Sequence, residues 1–513
     1  MDVRVKQGRL ENEPADAVVL THFQEEDTLL EECVKIDRLL NGAVGDLLKS
    51  GEFLGKLNQT VVLHSQGKLP AKRVVLLGLG RRADAKPDSI RQAMGTAVKR
   101  IKQAGARSFV TPVHGRAVAD TSDLELAQAM TEGAMLGTYQ FTAYRTNSNG
   151  DEARSIDRMT VIEPATARQA DLKEGIRRGI AAAAATMFVR DLCNHPSNIM
   201  TPSRIAAEAK QIAKERNVRL KVLERREAEK LGMGAFLGVA RGSHEPPKFI
   251  VLEYSGTPRT RRNGRQKGPI VLVGKTITFD TGGISLKPAE NMEQMKADMT
   301  GGAEVLATVR AAARLRLPLH VIGILPATEN MPGGRAIKPG DILKTLSGLT
   351  VEVQNTDAEG RLILADGLNY ATRLKPSAIV DIATLTGACA VALGQFAIGM
   401  FGNNEALKGR IERSGLKAGE RVWEMPLWDD YFEQLKSDVA DMRNIGGRGG
   451  GMITAALFLS KFVGECPWVH LDIASTDWSD RERAYIPKGP TGIGTRLLIQ
   501  YLIDEAAGAK SGR

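Results

Sequence analysis

The chain lacks the patterns that would make it a secreted, membrane-spanning or cysteine-based protein. Its 513 residues include only four cysteines, Cys33, Cys193, Cys389 and Cys466, scattered and without a C-x-x-C pair. That spacing offers neither a disulfide frame nor a thiolate zinc site, and it fits buried thiols in a reducing compartment. No apolar run approaches the roughly 18 residues that span a bilayer. The opening stretch MDVRVKQGRLENEPADAVVL has no uninterrupted apolar region and turns acidic early, so it does not read as a secretory signal. The expectation is a cytoplasmic protein with no membrane partner. Aromatic residues are sparse at 5%, and none of the seven histidines falls in an H-E-x-x-H pattern, which removes the usual helical zinc-protease design. His195, His320 and His470 read as core or loop histidines.

What is present is an ordinary globular composition, 42% hydrophobic and 25% charged, with 53 glycines suited to tight loops. The net charge of +10 serves solubility or, alternatively, an acidic partner such as DNA bound through counterion release. Two glycine-rich segments can be set aside. GLG at Gly78–Gly80 is followed by Arg81 and Arg82, so the third glycine of a dinucleotide fingerprint is missing. GGRGGGM at Gly446–Met452 lacks the Lys-Ser/Thr ending of a phosphate loop.

The pattern of apolar runs predicts an α/β fold of two domains. Residues 1–165 carry the short β-branched runs DAVVLTHF, TVVLHS, RVVLLGLG, SFVTPV and RMTVIEP, separated by helical stretches such as SIRQAMGTAVKRIKQAG. Residues 166–193 are Ala-rich and free of proline, a linking helix that Pro196 ends. Thr201 or Ser203 can cap the next helix. The larger domain, 194–513, carries FIVLEYS, PIVLVGK, HVIGILPATEN, TVEVQN, AIVDIATLTG and WVHLDIAS. Continuous apolar runs of this kind predict a mixed, largely parallel sheet flanked by helices. Ligands gather at the carboxyl ends of such strands, where Lys275, Glu329, Asp357 and Thr384 stand. Between FIVLEYSG and GPIVLVGK, TPRTRRNGRQK has five basic residues in eleven. It reads as a solvated hairpin tip, with a phosphate-contacting finger as the alternative.

Ionisable groups concentrate in two segments, GKTITFDTGGISLKPAENMEQMKADM (Gly274–Met299) and NTDAEGRL (Asn355–Leu362). In the second, Asp357, Glu359 and Arg361 alternate, and on an extended chain all three point to one side. Converging carboxylates repel unless a cation lies between them, either a metal or Arg361 itself in a salt bridge. In the first, Asp280 follows a strand and precedes Gly282 and Gly283, where the chain can turn sharply. Asp298 follows NMEQMKA, the opening of a helix that runs to about Arg316. The four carboxylates Asp280, Asp298, Asp357 and Glu359 would meet at one sheet end, where two divalent cations neutralise them. Hard oxygen ligands suit Mn²⁺, Mg²⁺ or Zn²⁺. Lys275 could ligate a metal only as the neutral amine, about 4 to 5 kcal/mol away at pH 7. Residue chemistry alone therefore favours an ion pair with a nearby aspartate. Lys287, before Pro288, reads equally as an electrophile over the metals or as a surface charge. Met292, Met295 and Met299 form a helical stripe, and Met292 and Met299 read as core.

These segments resemble the leucyl aminopeptidase (cytosol aminopeptidase) family. GKTITFDTGGISLKP, MKADMTGGAEV and NTDAEGRLILAD are similar to its signatures, and ENMPGGRAIKPGDIL and DIATLTGA to its further segments, all in order from about Asn194 to Tyr501. The first 165 residues resemble it only in general architecture. The resemblance implies a dinuclear metallo-exopeptidase that releases leucine-like residues from peptide N-termini. It assigns one metal, Mn²⁺ or Zn²⁺, to Lys275, Asp280, Asp298 and Glu359, and the other to Asp280, Asp357 and Glu359. Lys287 would polarise the scissile carbonyl, and Arg361 would hold a bicarbonate ion acting as general base, with Leu385 contacting the bicarbonate region. Met295, Thr384 and Gly387 would line the pocket for the first side chain. The resemblance further implies a homohexamer and, in some members, DNA binding. Thr276, Thr281 and Gly302 depart from the family's usual residues without removing a ligand, and the basic segment 259–267 looks like an insertion. A dinuclear phosphoesterase would share the carboxylates but usually recruits histidines that are absent here.

Overall fold

A computed structural model describes residues 1–26, 28–146, 155–256 and 268–511; the basic segment at 257–267 lies outside them. The chain divides into two compact units, Met1–Ala184 with Asp480–Lys488, and Ala185–Ser479 with Gly489–Arg513.

The first unit is built on a six-stranded sheet of β1 (Asp2–Lys6), β2 (Ala17–Gln24), β3 (Thr60–His64), β4 (Arg73–Arg81), β5 (Ser108–Thr111) and β6 (Arg158–Ile162), in the order β1-β6-β5-β2-β4-β3. Its pairs are parallel apart from the antiparallel β3–β4 edge. The β-branched runs of β2 and β4 are buried along nearly their whole length, as central strands of a parallel sheet require. β1 was not among the expected strands: it is an edge strand that buries only Val3, so its apolar signal is weak. Helix Pro87–Gln103 starts on a proline, whose fixed φ suits the first helical turn. It lies so close to helix Asp123–Gly137 that a Cβ on Gly133 would stand 2.1 Å from the Arg91 carbonyl oxygen.

The division between the units falls inside one 26-residue helix, Gln169–Asn194. Thr201 caps the next helix, accepting from the Arg204 N–H at 3.3 Å.

The second unit holds a nine-stranded mixed sheet made of β7 (Val218–Leu223), β8 (Lys248–Ser255), β9 (Ile270–Gly274), β10 (Thr276–Asp280), β11 (His320–Asn330), β14 (Ala378–Ala383), β15 (Ile398–Gly402), β16 (Val422–Glu424) and β18 (Trp468–Asp472). The order is β16-β15-β18-β14-β9-β11-β8-β7, with β10 added on β11. Every residue of β9, β14 and β18 is buried. Full burial of each large apolar side chain there stabilises the unit by about 1.5 to 3 kcal/mol. A separate small sheet joins β12 (Ile342–Lys344), β13 (Thr350–Glu352) and β17 (Met442–Arg443).

Four expectations are corrected by the structure. TVEVQN supplies β13 of the small sheet rather than a strand of the central one, because its apolar run is only a few residues long. The runs on either side of 257–267 do not form a hairpin, since β11 lies between β9 and β8. The chain is not extended through Asp357, Glu359 and Arg361: a helix begins at Glu359 and runs to Thr372. The expected helix after Asn291 is likewise split, a 3-10 turn over Met292–Ala297 and an α-helix over Thr300–Arg314, with Asp298 in the break. Met299 is buried, as expected of a core residue, while Met292 and Met295 are half-buried.

Candidate metal centre

Parallel strands β10 and β11 end together, with Asp280 opposite Asn330. Asn330 was not singled out from the sequence, although it lies within the ENMPGGRAIKPGDIL segment. Its buried Nδ2 donates to Asp280 Oδ1 at 2.8 Å and to the Thr356 carbonyl at 3.0 Å, joining the two acidic segments. Beyond Asp280, Gly282 and Gly283 adopt φ of +85° and +68°. A Cβ on Gly282 would meet Ser285 O at 2.4 Å, so the turn needs glycine there. Thr356 donates from its hydroxyl to Gly282 O at 2.6 Å and accepts from Ser285 N at 2.8 Å.

Asp280, Asp357 and Glu359 thereby each offer an oxygen within 4.8 Å of the others. The convergence foreseen for an extended strand is achieved by a turn into a helix N-terminus, which also favours negative charge. Asp298 joins from the other side through Lys275. The Lys275 ammonium, 3% exposed, lies 2.7 Å from Asp298 Oδ1 and 2.9 Å from Glu359 Oε1, and donates to the Thr384 carbonyl at 2.9 Å. It is an ion pair here, the arrangement residue chemistry favoured. A Cβ on Gly360 would stand 2.5 Å from Lys275 Cε, so glycine between Glu359 and Arg361 makes room for this side chain. Lys287 is paired rather than a free surface charge, 2.9 Å from Asp280 Oδ2 and 2.5 Å from Asp357 Oδ1.

Two lysines against four carboxylates leave the cluster two negative charges in excess, and its ionisation is strained accordingly. Burial first, then Glu359, pushes Asp280 up to about 6, against the pull of Lys287 and Lys275. Burial also raises Asp298 well above the usual carboxylate range. Burial opposes the charge on Glu359 too, yet Lys275 outweighs it and holds that carboxyl below its ordinary value. Among the described residues, Asp298 Oδ2 and Glu359 Oε2 have no hydrogen-bond partner, and both are buried. Orphaned anionic oxygens in a dry pocket cost several kcal/mol unless a cation meets them. The donor set, all hard oxygen apart from Lys275, fits a divalent metal.

Arg361 lies on the first turn of its helix, 5% exposed, and does not bridge Asp357 and Glu359 as a salt-bridge alternative would require. Its Nη1 donates to the Asn444 carbonyl at 2.9 Å, its Nε has no partner, and burial lowers its pKa to about 10. Thr384 turns its hydroxyl onto Asp298 Oδ1 at 2.8 Å, and the Leu385 N–H donates to Asp472 Oδ1 at 3.1 Å. Gly387 opens a helix and has nothing within 4 Å of where a Cβ would stand. Glu329, also at a strand end, accepts from Ser243 Oγ. Among the histidines, His470 is a core residue paired with Asp381 at 2.6 Å, and His320 pairs with Glu253.

Residues 187–499 match the catalytic domain of the cytosol aminopeptidase family, and residues 18–148 match that family's N-terminal domain. The chain belongs to the cytosol aminopeptidase family. It is 49% identical over 480 residues to a protein of Geobacter sulfurreducens described as "Probable cytosol aminopeptidase", covering 93% of this chain and 94% of the relative. A protein of the same description from Roseiflexus castenholzii is 45% identical, covering 98% of this chain and 99% of the relative. Among solved structures, a mutant of tomato leucine aminopeptidase superposes with a TM-score of 0.86 at 33% identity, covering 98% and 96% of the two chains. The bottromycin maturation enzyme BotP in complex with Mn superposes with a TM-score of 0.82 at 33% identity, covering 96% and 100%. The protein is thus a peptidase. Among the described residues, no helix is long and apolar enough to cross a membrane.

Proposed function

We propose that the protein is a dinuclear metallo-aminopeptidase that removes leucine-like residues from peptide N-termini. One observation carries the reading: Asp280, Asp357 and Glu359 converge within 4.8 Å beside the unpartnered oxygens of Asp298 and Glu359. Lys275, Asp280, Asp298 and Glu359 would hold one cation, and Asp280, Asp357 and Glu359 the other. Two such cations, Mn²⁺ or Zn²⁺, would supply Lewis-acid polarisation of the scissile carbonyl and lower the pKa of the attacking water.

The chain's own side chains complete the chemistry. Lys275 must give up its proton to ligate, at the energetic cost its buried carboxylate partners impose in the ion pair. Lys287, paired here with Asp280 and Asp357, would be available if those carboxylates held metal and would then donate to the carbonyl oxygen as negative charge develops there. Arg361 keeps a buried cation whose Nε has no hydrogen-bond partner among the described residues, a fit for a small anion such as bicarbonate, which would supply a general base there. Leu385 would border that anion. Half-buried Met295, Thr384 and the open space before Gly387 would receive the substrate's first side chain. The family likeness supports a homohexamer, and three buried free cysteines agree with a cytoplasmic setting. The test is hydrolysis of leucyl amide by the purified protein loaded with Mn²⁺ or Zn²⁺. Absence of cleavage with either metal would refute the reading, and light scattering at monomer mass would refute the hexamer.

A further inference from the structure

We propose that Asn444 is a positioning residue that holds the Asp357–Glu359 turn and the Arg361 guanidinium in register, and that metal affinity depends on it. The inference rests on the metal-centre reading above. Asn444 follows β17 and is 0% exposed. Its side-chain Oδ1 accepts from the backbone N–H groups of Gln354 at 2.8 Å and Asn355 at 3.3 Å. Its Nδ2 donates to the carbonyls of Asn355 at 2.7 Å and Ala358 at 3.5 Å. Ala358 is the residue between Asp357 and Glu359. The backbone of Asn444 works in the same direction: its N–H donates to Glu352 O at 3.0 Å, and its carbonyl accepts from Arg361 Nη1 at 2.9 Å. One residue therefore closes a ring of hydrogen bonds around the run from Glu352 to Arg361.

The run needs such a partner. Residues 354–358 belong to neither strand nor helix, so their backbone groups, those of buried Thr356 and Ala358 among them, find no regular ladder. A buried group left unpaired there is destabilising, and the turn would shift to recover the bond. Only an amide meets the demand, because two N–H groups and two carbonyls must be satisfied from one side chain. Aspartate would keep the bonds to Gln354 and Asn355 N–H while setting an acceptor against the Asn355 carbonyl. Residues that orient metal ligands from behind change affinity by about 10- to 100-fold when replaced.

The experiment is a calorimetric titration of Mn²⁺ into chelator-stripped, full-length wild type, Asn444→Asp, Asn444→Ser and, as comparator, Ser414→Ala. Ser414 is equally buried and bonds to Arg410 O at 2.9 Å, on a helix that supplies no ligand. The Tm of each metal-free protein is read alongside. Asn444→Asp should bind Mn²⁺ about 10- to 100-fold more weakly, and Ser414→Ala should lower Tm without moving the affinity. An Asn444→Asp affinity within about threefold of wild type overturns the inference. So does an equal weakening in Ser414→Ala at matched loss of Tm, or failure of both Asn444 variants to fold without metal, since the residue would then serve the fold alone. Wild type that binds no Mn²⁺ refutes the metal-centre reading first, and this inference with it.

Discussion

Each compact unit buries one basic side chain against two carboxylates, and the two arrangements differ in what is left over. In the first unit Arg91, 1% exposed, pairs with Glu132 at 2.7 Å and Asp88 at 2.8 Å. The remaining carboxylate oxygens are also taken, with Gln128 donating to Glu132 Oε1 and Gln92 to Asp88 Oδ2. In the second unit Lys275 pairs with Asp298 and Glu359 in the same manner. There, however, Asp298 Oδ2 and Glu359 Oε2 stay open, and Asp280 and Asp357 add further charge. A closed network stiffens a fold, while open anionic oxygens in a dry pocket call for a cation. Burial and ion pairing alone do not mark a site; unfilled lone pairs on several converging carboxylates do.

Removing one carboxylate from each network is the strongest way to break this comparison. Asp357→Ala should lower kcat/KM for leucyl amide by about 10³-fold or more. Glu132→Gln should leave kcat/KM nearly unchanged but lower stability in denaturant unfolding by up to about 3 to 5 kcal/mol, because Arg91 loses its fully buried charge partner and keeps only Asp88. Equal losses of activity in the two variants would erase the distinction. Chelation comes next: metal present at about 1,000 times its Kd contributes about 4 kcal/mol of stability. Wild type and Glu132→Gln should both lose that increment, seen as a fall in Tm, and Asp357→Ala should lose much less. Lys287→Ala should then cost about 10²- to 10³-fold in kcat with a smaller change in KM.

The smallest effect concerns an orphan carboxylate that meets a proton rather than a metal. Glu304, 0% exposed on helix Thr300–Arg314, has both oxygens unpartnered. Burial raises its pKa well above 4.5, with Glu420 and Asp477 adding to the shift. Its folded value lies above the unfolded one, so its contribution is full below the ordinary glutamate range and declines as pH rises toward the folded value. Glu304→Gln should therefore gain on wild type as pH rises above the ordinary glutamate range, by up to about 1.4 kcal/mol per pH unit. A stability difference that shrinks over that range would contradict the assignment.

Much of this was legible in the sequence, for a physical reason. A strand buried on both faces, such as β9, is apolar throughout, so carboxylates beyond such runs stand out. Asp280, Asp298, Asp357 and Glu359 were visible in that way, as was the glycine turn at Gly282. Local geometry was not. The alternation of Asp357, Glu359 and Arg361 suggested a strand, yet helix formation from Glu359 overrode it. The sheet order that separates β8 from β9 depends on long-range pairing that no local pattern reports. Asn330 and Asn444 were missed because a buried asparagine looks like any loop polar residue until its backbone partners are known.

The central claim is that the open carboxylate cluster is a two-metal site. Its most direct test is elemental analysis of full-length protein dialysed against Mn²⁺, with wild type beside Asp280→Ala. The account predicts about two ions per chain in wild type and a marked loss in the variant, whose carboxylate would bridge both positions. No bound metal in wild type, or the same count in Asp280→Ala, would contradict it.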